Sequence, residues 1–420
     1  MSLPLPPRRV VIVGAGIIGL STAWFLLKRG VRVTVLDREP IGQGASCGNA
    51  GLLSIGHYPL TRPGVSWRGM KWMFDATSPL YIKPRPDWSL LSWLWNFHWH
   101  CNQRHLDRCM RVLCDMGFKT LAIYEEMIRE ESIDCDYARD GWLDVVLDPA
   151  NMDAAEHEAK DLVQYGYGYR RLTGDEVRRR DPILKDEVAG AIHYTDSAHA
   201  HPGDFLVGLA RAVATRGATI RDDAEVVGFE RSLSGSVGGV RLRGGEIIEG
   251  DAVVLAAGVW SEGLGRTLGL RVPLVGARGY HVQLKGMPAL PSTGMVLHET
   301  FVAATPMRDE LRLAGTLEID HLGQPWRRER LAMLGKGAER YLKGLEGATT
   351  SVEWAGYRPC TSDGMPILGL ARRAPGVLVA GGHAMLGMTL GPVTGKAAAE
   401  ILFGETPCFD TAMFDANRFG

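Results

Sequence analysis

The sequence predicts a two-domain α/β fold: an α/β domain built from both ends of the chain, with a second, β-rich domain set into it. Three observations predict this. A strand–helix–strand pattern fills 10–36, a strand, a glycine-rich turn and a helix fill 376–404, and 272–319 reads as successive β-strands. A chain of 420 residues also exceeds what one simple core organises.

The elements follow in order. VVIVG (10–14) is a β-branched run of the kind that forms a buried parallel strand. Residues 17–29 repeat apolar positions at helical spacing and stop at Gly30, a suitable C-cap. VRVTVL (31–36) alternates as a second strand and completes a βαβ unit. Residues 42–56 are rich in Gly, Ser and Asn and predict a loop, and 67–100 hold more than half of the 11 tryptophans. A long amphipathic helix is expected over 101–131 and a strand over 141–147. A helix over 203–217 precedes strands, a hairpin and a further strand ending at Gly258. A charged helix is expected over 325–345, a strand over 376–382 and a helix over 393–404. No internal repeat is present.

Composition narrows the function. Apolar residues make up 45% and charged residues 23%, the balance of a globular enzyme. The net charge of −1 leaves no excess of Lys and Arg to neutralise phosphates, so no nucleic-acid partner is expected. The short basic clusters at Arg178–Arg180 and Arg327–Arg330 have acids beside or within them and predict solvated helix faces. The 7 cysteines form no CxxC pair, which argues for a reduced compartment and against a zinc site, so no metal is expected. With no secretory leader and no apolar run of membrane-spanning length, a cytoplasmic location is expected.

Gly14-Ala15-Gly16-Ile17-Ile18-Gly19 stands between the first strand and the first helix. Gly14 permits the tight turn, Gly16 the approach of a pyrophosphate to the helix N-terminus, and Gly19 close helix–strand packing. Asp37 ends the second strand, where its carboxylate accepts hydrogen bonds from ribose hydroxyls and disfavours a 2′-phosphate. This motif does not separate FAD from NAD. Two further elements favour FAD. The loop GASCGNAGL supplies Ser46, Asn49 and a run of backbone amides, and GGHAMLGMTLGPVTGK sets a second glycine-rich turn before a helix, suited to an electron-rich ring.

These stretches, with MKWMF (70–74), ARGYHV (277–282), LHETFVA (297–303) and GYRPCTSDGMPILG, resemble the glycine/D-amino-acid oxidase (DAO) superfamily of flavoproteins over nearly the whole chain. Within it the chain is most similar to the bacterial D-amino-acid dehydrogenase small-subunit branch. The resemblance implies a glutathione-reductase-type Rossmann-like FAD domain over 8–60, 198–270 and 352–420, and an antiparallel-sheet substrate domain over 61–197 and 271–351. It extends the expected FAD contacts to Arg38, Ala45, Ala50, Gly51, Leu53, Val226, Ala257 and Gly258. At the C-terminal turn it adds Gly382, His383, Met385, Leu386, Gly387, Met388 and Thr389. It also implies hydride transfer from the amine carbon of a D-amino acid to flavin N5, giving an imino acid and then a keto acid. Cyclic substrates such as D-proline and hydroxy-D-proline fall within that class.

By the same resemblance Arg358 pairs with the substrate carboxylate, with Tyr357 in place of the usual leucine. Met385 stands where the glycine-oxidase branch carries a second arginine. A bidentate arginine fixes both position and orientation of a carboxylate, which is most of what this chemistry asks of the protein. Tyr280 is either a second carboxylate ligand or a core aromatic with a satisfied hydroxyl. His383 is either a flavin contact or a structural histidine. His57, His298 and Thr300 are expected to line the substrate site, and Cys47 raises a covalent flavin bond, against which non-covalent FAD is expected. The acceptor is a respiratory-chain quinone or oxygen, and the tryptophan-rich stretch is core, a peripheral contact with the inner face of the cytoplasmic membrane, or a subunit interface. Two other readings stand beside the dehydrogenase: an oxygen-using oxidase of glycine, sarcosine or N-substituted amino acids, and an FAD-binding electron-transfer subunit without its own substrate site.

Overall fold

The β-branched N-terminal run forms the strand Arg9–Val13, followed by the helix Ile17–Leu27 and the strand Arg32–Leu36, parallel to the first in the register Val11↔Thr34. The structure is a computed structural model that describes residues 5–66, 78, 80–83, 85–233 and 235–420; MKWMF, Trp67 and Trp72 lie outside them. The first sheet runs Ile367–Leu370, Val377–Gly381, Ala252–Leu255, Arg9–Val13, Arg32–Leu36, Thr219–Arg221, with only its first strand antiparallel. Both faces are buried, which is why VVIV carries no polar alternation. Val10 and Ile12 pack among the helices, whereas Val11 and Val13 pack toward a three-stranded sheet of Val226–Arg231, Val237–Leu242 and Ile247–Glu249.

The second sheet has nine strands among the described residues. Eight run in the order Thr349–Thr361, Leu274–Lys285, Glu310–Ile319, Val302–Met307, Met295–Leu297, Trp142–Val146, Gly190–Tyr194, Tyr169–Thr173, and Leu80–Ile82 pairs with Glu310–Ile319. The helix Arg328–Glu339 backs it through Leu331, Leu334 and Ala338. Two segments lie elsewhere than the expected boundaries of 61–197 and 352–420 place them. The helix Gln103–Glu131 buries its apolar stripe in the core that holds the first-domain helices Ile17–Leu27 and Gly387–Leu402. The strand Thr349–Thr361 stays paired with Leu274–Lys285 to its last residue, in the second sheet. An amphipathic stripe states that a face is buried, not against what.

The last helix spans Gly387–Leu402, starting six residues before the expected 393. Pro392 lies inside it and cannot donate to Met388 O. Tyr124 from the long helix donates to that carbonyl at 2.6 Å, and Thr120 Oγ1 donates to Thr389 O at 2.7 Å. A neighbouring helix thus satisfies what the proline leaves open.

Candidate active site

The turn after the first strand is set by contacts that only glycine admits. Gly14 has φ 112°, and a Cβ there would stand 2.3 Å from Ala256 O; one on Gly19 would stand 1.9 Å from Gly14 O. Asp37 Oδ2 accepts from Ala15 N at 2.7 Å and Oδ1 from Glu39 N at 3.2 Å, leaving further lone pairs for a ligand hydroxyl. Ser46 Oγ accepts from Ile17 N at 3.1 Å, joining the loop to the helix N-terminus. Arg38 lies over the Trp260 ring at 3.7 Å.

From this turn a cavity of about 950 Å³ extends to the second sheet. Gly14, Ala15, Gly16, Ile17, Ile18, Asp37 and Arg38 line one end, joined by Ala45, Ser46, Asn49 and Ala50 of the loop. Val226, Ala257, Gly258, Gly382, His383 and Met385 through Thr389 complete that wall. Gly19, Gly51 and Leu53 are not among the lining residues: Gly19 packs on Gly14, Gly51 turns at φ 85° against Ala200 O, and Leu53 is core. The helices at Ile17 and Gly387 both begin at the cavity, and neither N-cap residue, Gly16 or Leu386, supplies a side-chain cap. Two helix N-termini on one cavity fit a long anionic dinucleotide such as FAD.

The second sheet grips the glycine-rich loop. Arg312, 3% exposed, donates to Cys47 O at 3.0 Å, Asn49 O at 2.6 Å and Gln283 Oε1 at 2.8 Å. Burial lowers its pKa to about 10, still far above neutrality. His281, stacked on Trp354 at 5.2 Å, has Nδ1 3.1 Å from Gly48 O.

Arg358 reaches across Leu274–Lys285 at Gly279, where a Cβ would stand 2.1 Å from Nη1 and 2.4 Å from Nη2. Nη1 donates to Thr316 O at 2.9 Å. No carboxylate pairs with Arg358 among the described residues; its guanidinium is partly buried and lines the cavity. Burial lowers its pKa from arginine's ordinary value. The end of its strand is tied to the C-terminal turn by a bridge from Cys360 to His383 and by Ala384 N donating to Pro359 O at 3.0 Å.

The other expected side chains separate. Tyr280 is not a cavity residue: its hydroxyl donates to Glu318 at 2.6 Å within the second-sheet core, which corrects its expected role as a carboxylate ligand. Thr300 bonds back to Leu297 O at 3.3 Å and is likewise absent from the lining. His57, His298 and Met385 do line the cavity. His57 Nδ1 lies 2.7 Å from Tyr58 O, and burial lowers its pKa. His383 lines the cavity as well, but its Nε2 is 2.9 Å from Thr394 Oγ1, and burial pushes its pKa down to about 3, as for a structural histidine. Cys47 is outside the lining, with Sγ against Gly203, and burial raises its pKa.

The sequence reading missed three residues held at positive φ on the cavity wall: Phe301 (54°), Thr316 (56°) and Ala384 (47°). Non-glycine residues in this region concentrate at functional sites, and nothing in the local sequence announces them. It also missed Asp144, whose one signal is an acid inside the apolar strand WLDVV.

The family described as DAO, FAD dependent oxidoreductase, matches residues 9–401. The chain is 31% identical over 409 residues to a D-amino acid dehydrogenase of Xylella fastidiosa (strain M12), covering 94% of this chain and 92% of that protein. It is 29% identical over 396 residues to the D-amino acid dehydrogenase of Helicobacter pylori, covering 94% of each. Its fold is similar to that of glycine oxidase from Geobacillus kaustophilus, with a TM-score of 0.77, 23% identity, and 98% and 99% of the two chains covered.

Proposed function

The chain belongs to the DAO family of FAD-dependent oxidoreductases, and from that premise we propose that it is a dehydrogenase of D-amino acids, cyclic ones such as D-proline among them. FAD, when bound, supplies the acceptor for the hydride that leaves the amine carbon. Gly14 to Ile18 and Asp37 hold its nucleotide half, and the turn from Gly382 to Thr389 holds its ring end. Arg358 binds and orients the substrate carboxylate, and Thr316 O fixes one edge of the guanidinium. The product imino acid hydrolyses to a keto acid and ammonia, or remains a cyclic imine.

The observation that carries this reading is the partly buried cation of Arg358, facing the cavity with no carboxylate partner among the described residues. An anaerobic screen of D-, L- and cyclic amino acids, following loss of flavin absorbance, tests it. D-amino acids are expected to bleach the flavin, and Arg358→Met to raise KM at least 100-fold, the loss of a charge-assisted bidentate contact of about 3 kcal/mol. An unchanged KM in that variant removes Arg358 from the mechanism.

Peripheral contact with a bilayer, a route to a quinone, is supported by the helix Trp88–His100. Trp88 (86% exposed), Leu91, Trp95 and Trp99 (63% each for the last two tryptophans) project outward from it, as interfacial aromatics do. No helix among the described residues is long and apolar enough to cross a membrane. Flotation with anionic lipid vesicles is expected for the wild type and reduced for Trp95→Ser/Trp99→Ser; equal flotation of both proteins rejects the contact.

A further inference from the structure

His298 and Asp144 line the cavity together, and the mechanism above uses neither. The turn 298–301 joins the strands Met295–Leu297 and Val302–Met307, and the pairs Leu297↔Val302 and Ala303↔Ala314 set its ends, His298 and Phe301, on the wall beside Gly315 and Thr316. All four line the cavity. Strands lie about 4.8 Å apart, so His298 stands roughly 10 Å from the Thr316 backbone that holds Arg358. Phe301 stands between them, and Ala303, Ala314 and Gly315 line the cavity beside it with little side chain. This span admits a small amino acid lying across the sheet, with its carboxylate at Arg358 and its far end at His298.

His298 is held for such a task. Its Nδ1 is 2.9 Å from Asp144 Oδ2 and 3.1 Å from Oδ1. Its turn is fixed by Glu299, which accepts from Leu147 N, Asp148 N, Asn151 Nδ2 and Tyr341 OH. With Nδ1 committed to Asp144, Nε2 has no protein partner among the described residues, and it is not among the buried polar atoms. A carboxylate on one ring nitrogen sets the orientation in which the other meets a ligand. The charges at this end are paired: His298 with Asp144, and Arg62 with Glu158 at 3.4 Å. Among the described residues the end is polar without a free charge, which suits a neutral hydrogen-bonding group rather than a charged side chain. The stacked Trp142 and Tyr194 (4.4 Å) close the wall beside it.

We propose that His298, oriented by Asp144, is a specificity-determining residue whose Nε2 hydrogen-bonds a hydroxyl on the side chain or ring of the amino acid bound through Arg358. A hydroxyl both donates and accepts, so it satisfies Nε2 in either protonation state of the imidazole. A site built around such a bond rejects the analogue that lacks the hydroxyl, because its polar group is then left unpaired. The proposal rests on the amino-acid dehydrogenase reading and names its substrate class as hydroxylated small D-amino acids.

The test uses the FAD-loaded enzyme and matched pairs: 4-hydroxy-D-proline against D-proline, and D-serine against D-alanine. The wild type is expected to favour the hydroxylated member in KM by about tenfold. His298→Leu should erase that ratio, His298→Gln should restore part of it through its amide, and Asp144→Asn should weaken it. The inert acids cyclopentanecarboxylate and 3-hydroxycyclopentanecarboxylate, titrated against the flavin spectrum, should show the same ratio in Kd. Equal ratios in wild type and His298→Leu overturn the proposal. If no amino acid bleaches the wild-type flavin, the dehydrogenase reading fails first and the proposal with it, a result distinct from bleaching without hydroxyl preference.

Discussion

Arg358 shows how one residue's role depends on what a neighbouring strand omits. Its guanidinium occupies the space over Gly279 that a methyl group would fill. Gly279→Ala is therefore expected to push the guanidinium aside and raise KM for amino acids about tenfold or more, while bound flavin and secondary structure persist. Unaltered KM with full flavin content shows that the guanidinium shifts without losing its ligand. The sequence made Arg358 legible because a cation set among apolar and small residues, with no acid beside it, lacks an anion. It gave Tyr280 two equal readings, because a strand tyrosine points to one face or the other according to register. Register set it on the Glu318 side.

At the scale of the element, the C-terminal helix depends on a partner far away in the chain. Pro392 sits in its interior, and Tyr124 and Thr120 of the long helix cover the carbonyls of Met388 and Thr389. Close approach of the first helix is permitted by Gly391 and Gly395, where a Cβ would stand 2.5 Å from Ile17 and 2.6 Å from the Ser21 backbone. The helix therefore brings Gly387 to Thr389 to the cavity only in this packed state. Tyr124→Phe, which strands a buried carbonyl, is expected to cost about 1–3 kcal/mol of stability in denaturant melts of the loaded enzyme. A loss below a few tenths of a kcal/mol assigns that carbonyl another partner.

For the whole molecule, the junction of the two sheets carries a pH dependence. His281 and His383 are both 3% exposed, and burial pushes each pKa down to about 3, helped at His281 by the Arg312 cation. Unfolded histidine titrates near 6.5, so between about 6.5 and 3 the unfolded chain takes up protons that the folded chain refuses. Stability is then full above about pH 6.5 and falls on acidification, by up to ~1.4 kcal/mol per pH unit for each histidine. Thermal melts between pH 7.5 and 5 check this. His383→Gln is expected to flatten the slope, and a slope unchanged in that variant assigns the acid sensitivity elsewhere. The sequence by itself determined the βαβ unit, the glycine turn, Asp37, the FAD-family membership and the isolation of Arg358, because each is written in local periodicity or local chemistry. Tertiary structure alone decided that the long helix joins the first domain's core, that a proline lies within the last helix, that Tyr280 leaves the cavity lining, and that Asp144 and His298 meet on the wall of the cavity that Arg358 also lines. Those outcomes depend on sheet register and on which buried faces find each other, and both are set by contacts between residues more than 100 positions apart.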